Sequence, residues 1–588
     1  LHKAIRRQRQ MCIRDSIIGA SVKVVGTTTG TITDLDGKFM VVVPSGKQVE
    51  ISYIGYITQV LSDFKQTKIE LKEDTQQLDE VVVVGYGTQK KAHLTGAIAT
   101  VPMDDIQDLA SGNLASTLSG MVNGLSVSGG DARPGENARI NIRQNDVLSD
   151  IGGTASEPLY VIDGYIYPVE VKIGDVTENL GATAFNNLDP SVIESISVLK
   201  DAAATAVYGS RGANGVVLVT TKRGLESKLK ISGRANMTIS HLKRLPEYVN
   251  ATQYAEMANE ASVATGLSPI YNKTEMDIIK YGLDPDLYPN IDWQDVILNP
   301  NSFQQTYYVS AQGGSSVARY FASLGMSKES AAYNPSKDSK YNKGVGYDTY
   351  NYRLNLDIDL TKTTKVYIGT TGYMSVNTRP SMGEYSRGVS LTDWLWSSQA
   401  KTTPISYPLR YSNGYYPAAG TKDEISPYVL LNYTGNAREQ NTRNLVTLGI
   451  TQDLSMITKG LSAKVQGSWD TQSLFGEARY KMPELNEALK ERNPNGTLSF
   501  EKIADEKTVT YSSAAWVWRK LYLEANVNYD RTFGDHRLGG LLFYYIEDTS
   551  ETGADKSMNA IPKRYQSLSG RFTSVSYTHL TLPTNSLV

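Results

Sequence analysis

The chain has one cysteine in 588 residues, Cys12, so no disulfide can hold it together and cysteine usage says nothing of its compartment. Histidine is almost as scarce: His2, His93, His241, His536 and His579 are the five present. No two of them have metal-ligand spacing, and none sits in an HExxH pattern. There is no G-x-S-x-G elbow and no phosphate-cradling GxxxxGK[ST] loop. Gly85-Tyr86-Gly87 lacks the third glycine of a dinucleotide fingerprint. Asp34-Leu35-Asp36-Gly37 lacks the distal Glu of a calcium loop and reads as a turn. No nucleophile, base, metal or cofactor constellation therefore presents itself, and an enzyme is the weakest reading. The charges nearly cancel, with 59 Lys and Arg against 61 Asp and Glu, which excludes a broadly basic nucleic-acid binder. Apolar runs of about 18 residues are absent as well, which excludes a membrane-spanning helix but not a membrane β-barrel. What abounds is tyrosine, 37 residues against 10 Phe and 6 Trp. That excess suits surfaces that are half apolar and half wet.

The chain divides by pattern. Residues 1–16 are basic with no apolar h-region, and residues 575–588 break the pattern before them; both tails are expected to be non-native. Residues 17–75 alternate short apolar runs with turn signals such as Asp36-Gly37, as a small β-sandwich would. Residues 76–90 carry Asp79 and Glu80, then Val81, Val82, Val83 and Val84, then a Gly-Tyr-Gly stop. Four valines make either a buried core strand or an extended segment that adds to the edge of a partner's sheet. Residues 91–222 mix strands and short helices. A helix is expected near 110–120, and strands at Leu125, at 139–143, at 159–162 before Asp163-Gly164, at 196–199 and at 215–221. Asp189 to Ser191 would cap a short helix with Glu194 in a capping box, and Asp201 would cap a helix that Gly209 ends.

Residues 223–574 are β-rich. Tyr350, Tyr352, Leu354, Leu356 and Ile358 alternate with Asn351, Arg353, Asn355, Asp357 and Asp359. Residues 461–470 and 521–531 alternate likewise, each run long enough to cross a tilted bilayer. Roughly ten such strands fit between residues 229 and 546. Period two alone leaves both a soluble sandwich and a lipid-facing barrel open. Charges confined to one face, long connections such as 377–443, and aromatics near strand ends (Tyr341, Tyr347, Trp516, Trp518) favour the barrel. Trp394, Trp396, Tyr415 and Tyr416 would stack on sugar rings or a lid protein if exposed, or else pack within their loop.

Three stretches resemble a known family. GASVKVVGTTTGTITDLDGKFMVVVPSG with ISYIGYITQ resembles the non-catalytic carboxypeptidase-regulatory-like domain. DEVVVVGYGTQKK resembles the segment holding the energy-coupling TonB box, and PLYVIDG with VLKDAAATAVYGSRGANGVVLVTTKRG resembles the plug signatures of SusC/RagA-family TonB-dependent outer-membrane receptors. One position departs from the pattern: Gln144 stands where a Gly is expected after Ile142-Arg143. The resemblance implies a mainly β chain. Its parts would be a β-sandwich at 17–75, a TonB-box segment at 76–90, a mixed α/β plug at 91–222 and about the first half of a transmembrane antiparallel β-barrel at 223–574. It marks Asp79, Glu80 and Val81 to Val84 as the TonB-binding strand. It marks Tyr160, Asp163, Gly164, Lys200, Asp201, Tyr208, Gly209, Arg211, Gly212, Asn214 and Gly215 as the plug signature. The implied partners are TonB, a SusD-type surface lipoprotein, a glycan or peptide substrate and outer-membrane lipid, with no cofactor and no nucleic acid. A siderophore receptor of the same fold and a soluble β-rich adhesin or glycan-binding protein are the alternatives.

Overall fold

The computed structural model describes residues 20–24, 30–34, 38–41, 43, 47–52, 59–61, 69, 81–84, 87–90, 98–101, 103, 106, 113–129, 134–135, 137–143, 157–168, 171–173, 176–243, 245–336, 344–381, 395, 401–418, 425–534, 536–552 and 561–576. The chain forms two compact units, residues 1–82 with 89–93 and residues 83–88 with 94–588. In the first, Gly30–Ile32, Ser21–Val24, Val49–Ser52 and Gln59–Leu61 make an antiparallel sheet in that order. Val22, Val24, Val49 and Ile51 fall on one face, as period two requires, and Val41, Val43, Leu61 and Ile69 cover it. The Asp34 carboxylate accepts from the Lys38 amide at 2.8 Å, and Leu35, Asp36 and Gly37 lie outside the described residues.

At the division between the units in sequence, the strand Val81–Val84 pairs with Gly87–Lys90. Beyond it lies a five-stranded sheet in the order Tyr165–Ile166, Leu159–Ile162, Val216–Thr221, Ile193–Leu199, Ile98–Val101. Every residue of Leu159–Ile162 is buried, because the sheet is covered on both faces. Leu159 and Val161 pack with Leu199, Val216 and Leu218, while Tyr160 and Ile162 pack with Val198, Val217 and Phe185. Asp163 and Gly164 turn this strand back with φ of 51° and 84°, the left-handed pair that makes an Asp-Gly hairpin turn tight. Asn113 caps Leu114–Thr117, Asn179 caps Leu180–Asn186 and Asp201 caps Ala202–Thr205. One expected cap is corrected. Asp189, not Ser191, accepts from the chain, at the Ser191 amide, over the single turn Pro190–Val192. The backbone is already extended at Ile193, so Glu194 joins the strand Ile193–Leu199 and no capping box forms.

Around this sheet stands a ten-stranded antiparallel wall whose neighbours follow chain order. Its strands are Ser227–His241, Asn301–Gly314, Ala318–Ser330, Gly346–Asp359, Thr364–Arg379, Gly435–Asp453, Leu461–Met482, Lys507–Phe533, His536–Thr552 and Lys563–Ser576. Short links at 315–317, 360–363, 454–460 and 534–535 close one rim. The other rim carries the long links 242–300, 380–434 and 483–506. Folded pieces fill these long links, among them the helices Ala251–Ala264, Lys273–Tyr281 and Pro427–Tyr433.

Exposure decides between sandwich and barrel. Val465 and Trp469 are 51% and 56% exposed, while Gln466, Ser468 and Asp470 between and beside them are at most 5% exposed. Leu521, Leu523 and Val527 face outward in the same way, and Glu524 and Asn526 are buried. Apolar side chains outside and polar ones inside invert a water-soluble protein and suit a wall set in lipid. The aromatic girdle residues named above are corrected. Tyr347, Trp516 and Trp518 sit at inward positions, and Trp518 packs on Val171 and Leu180 of the enclosed domain. Tyr341 lies outside the described residues. The outward aromatics include Tyr307, Trp469, Tyr511 and Phe572 instead.

Candidate functional site: the seam between plug and wall

At mid-strand the outward positions are apolar, so the charges there stand inward, where they meet the enclosed domain. Three clusters result. In the first, the Asp163 carboxylate accepts from Arg353 Nη1 at 2.7 Å, from Thr221 Oγ1 at 2.7 Å and from the Thr221 amide at 2.9 Å. Asn355 Nδ2 donates to Thr221 Oγ1 at 3.1 Å and to the Lys222 carbonyl at 2.8 Å. Arg223 lies 3.8 Å over the Tyr367 ring and 3.3 Å from Asp357. Burial pushes the Asp163 carboxyl up, but Arg353, Arg223 and the Thr221 hydrogen bonds outweigh it and hold it below its usual value.

In the second cluster Arg443 grips Asp470 through two nitrogens, donates to the Leu180 carbonyl at 3.2 Å and lies 4.3 Å over the Tyr167 ring. The Tyr165 hydroxyl donates to Asp470 at 2.7 Å. Burial, and then the Asp470 charge, pushes that hydroxyl far above the usual tyrosine range. The third cluster sets Lys520 2.8 Å from the Ile166 carbonyl and 2.8 Å from Glu547. Arg211 donates to the same Glu547 at 2.9 Å and to the Tyr545 hydroxyl. Buried ion pairs of this kind bring little net stability, since both charges must be desolvated, but they fix register.

The plug-signature residues divide sharply. Asp163 and Arg211 reach the wall. The others build the domain that presents them. Tyr160 packs on Phe185 at 5.2 Å, Lys200 donates to the Asn123 carbonyl at 2.5 Å, Asp201 is a cap and Tyr208 is buried. Gly164 completes the turn, and Gly209 has φ 62° and ψ −149°. A Cβ at Gly212 or Gly215 would meet Thr205 or Ile142 at 3.0 and 2.7 Å. Asn214 is half-buried beside them.

The Val81–Val84 strand pairs with Gly87–Lys90. Asp79, Glu80, Gln144, Trp394 and Trp396 lie outside the described residues. Tyr416 packs on Tyr433 at 4.6 Å under Arg410, whereas Tyr415 is 44% exposed with its ring edge on Phe500. Sequence reasoning missed Arg353, Arg443, Asp470, Lys520 and Glu547. Their signal was a charge at the polar phase of an alternating strand.

Comparison with known proteins agrees with this architecture. The family model of the TonB-dependent Receptor Plug Domain matches residues 90–216, and that of the CarboxypepD_reg-like domain matches residues 13–83. The TonB-dependent receptor SusC of Bacteroides thetaiotaomicron is 34% identical over 335 residues, covering 56% of this chain and 30% of that protein. The TonB-dependent receptor P26 of Formosa agariphila is 32% identical over 351 residues, 59% of this chain and 32% of that protein. The RagAB peptide importer in its open-open state shares the fold, with a TM-score of 0.61 at 20% identity over 84% of this chain and 55% of that one. The plug-domain match falls on the enclosed sheet, within a wall whose outward face is apolar. Over the matched residues the chain is similar to SusC/RagA-family TonB-dependent receptors. It spans between 30% and 49% of the length of the curated relatives it matches.

Proposed function

We propose that this chain is part of an outer-membrane importer that takes up oligosaccharides or peptides, driven by TonB and served by a SusD-type surface lipoprotein. The observation that carries the reading is the charged, buried plug within a wall whose exterior is apolar. That exterior suits outer-membrane lipid, and the wall from residue 223 to 574 suits a barrel around a plug at 91–222, after a regulatory-like module at 17–75. The segment 76–90, with Asp79, Glu80 and Val81 to Val84, is the strand that pairs with TonB. Backbone hydrogen bonds supply the grip in such pairing, so β-branched residues serve and exact side chains matter little. Exposed Tyr415 is a contact for cargo or lid, and no step of the reading needs an enzyme. The likeness to SusC and to the RagAB peptide importer supports both cargo classes.

A Val82→Pro receptor in its native host tests the reading, because proline removes a donor the paired strand needs. The variant is expected to reach the cell surface and bind cargo while losing uptake. Undiminished uptake would overturn it.

A further inference from the structure

The plug does not meet its wall evenly. Toward Lys507–Phe533 and His536–Thr552 the seam is packed with rings beside the Lys520–Glu547–Arg211 cluster. Trp518 packs on Val171 and Leu180, and Tyr165, Tyr522, Tyr545 and Phe543 form a chain of rings with centroids 5.5 to 5.7 Å apart. Toward Ala318–Ser330, Gly346–Asp359 and Thr364–Arg379 the described residues line three cavities set in a row. An outer one of about 100 Å³, beside the rim with long links, shares Asn187, Asp189 and Asn351 with a middle one of about 30 Å³. The middle one shares Tyr167, Arg353 and Thr371 with an inner one of about 20 Å³. Volumes of 20 to 30 Å³ admit a water and little else.

Two further observations belong to this seam. Arg353 Nε and Nη2 and the Tyr373 hydroxyl line the middle cavity, are buried, and make no hydrogen bond within the protein. Buried polar atoms of this kind need a partner that the cavity must supply. The formal charges along the seam also cancel in pairs: Arg234 with Asp189 at 3.0 Å, Arg353 with Asp163 at 2.7 Å, and Arg443 with Asp470. What remains to face a solute is amide and hydroxyl, from Asn186, Asn187, Thr306, Ser327, Thr349 and Asn351.

We propose that this polar seam is the route along which solute first passes the plug, that it suits uncharged, hydroxyl- or amide-bearing solutes, and that the Arg353–Asp163 pair is its gate. The proposal rests on the importer reading for its direction of travel, but its test needs neither TonB nor cargo. At rest the seam is a thread of water-sized spaces. Parting Arg353 from Asp163 joins the middle cavity to the inner one, because Arg353 lines both.

The test is thiol labelling of the detergent-folded chain in a Cys12→Ser background, with single cysteines at three buried inward positions. Ser323 lines the middle cavity, Thr447 lines the inner one and Leu541 lies on the ring-packed side; they are 4%, 7% and 6% exposed. With a small neutral methanethiosulfonate, Ser323→Cys is expected to react about tenfold faster than Leu541→Cys. Adding Arg353→Met is expected to speed Thr447→Cys by about tenfold and leave Leu541→Cys unchanged. Asp163→Asn opens the same gate from the plug side and serves if Arg353→Met does not fold. Equal rates at Ser323→Cys and Leu541→Cys overturn the route. A gate variant that speeds both Thr447→Cys and Leu541→Cys, or neither, overturns the gate. A charged reagent that labels Ser323→Cys as fast as the neutral one, relative to free cysteine, overturns the preference for uncharged solutes. Each of these failures leaves the importer reading standing, since uptake is not measured.

Discussion

Asp163→Asn isolates what holds the plug to the wall. The substitution keeps the shape of the side chain and the left-handed turn, which asparagine tolerates. It removes the charge that Arg353 faces at 2.7 Å with only 5% of that side chain exposed. An unpaired buried guanidinium costs about 3–5 kcal/mol, far more than the intact pair contributes. At about 1.4 kcal/mol per decade, opening of the plug sheet then becomes roughly a hundredfold or more easier. Amide exchange in Val216–Thr221 reads this directly, since Asp163 is tied to that strand through the Val219 carbonyl and the Thr221 amide. The double variant Asp163→Asn with Arg353→Met removes both charges, keeps the left-handed turn and is expected to recover most of the loss. Acid gives an independent check. The Asp163 carboxyl lies below its usual value when folded, so its stabilisation is fully present above the unfolded value of about 3.9 and is lost as pH falls from there through the folded value. Lowering pH through that window should lower protection relative to the intrinsic exchange rate in the wild type and add nothing in Asp163→Asn. Unchanged exchange in Asp163→Asn, or a double variant as loose as the single one, would refute the reasoning.

Two further outcomes follow from the wall and the plug turn. Leu523 faces outward at mid-strand, so Leu523→Arg should cost about 2–4 kcal/mol for folding into phospholipid vesicles, read by heat-modifiable gel migration; in a soluble sandwich the same exposed arginine would cost almost nothing. Gly209→Ala should cost about 1–3 kcal/mol in plug stability by denaturant titration, although nothing lies within 4 Å of the added Cβ, because φ 62° with ψ −149° is open only to glycine.

The strands were legible because alternation is local. Residues 350–360 and 521–531 could be phased by eye, and the structure keeps that phase in Gly346–Asp359 and Lys507–Phe533. Which phase faces lipid was not legible in those runs alone, since a sandwich and a barrel share period two. Nor did position near a strand end reveal direction: Trp516 and Trp518 carry the parity of Tyr522 and Glu524 and so point inward. Glu194 misled for a related reason. The Ser-x-x-Glu spacing is right for a capping box, but a β-rich neighbour claimed the residue first. The helices of the long links left better signals than were read. Asn250 with Gln253 and Asn272 with Glu275 are complete capping boxes, hidden by their place between barrel strands.

The seam was legible only in halves. The signature around Asp163 and Arg211 marks the plug side, but their partners Arg353 and Glu547 stand 190 and 336 residues away, a pairing that no local spacing encodes. Yet the residue types follow from the physics of the proposed task. An apolar seam of equal area would hold the plug more firmly, as buried ion pairs often do worse than well-packed apolar side chains. It would also present bare apolar surface to water each time the plug moved. Charged and hydroxyl groups can exchange one another for water, so the wet side of the seam can part and reseat in register while the ring chain from Tyr165 to Phe543 keeps the other side anchored. That division of labour requires polar voids and aromatic packing to fall on opposite walls, and strands 318–379 and 507–552 are where they fall.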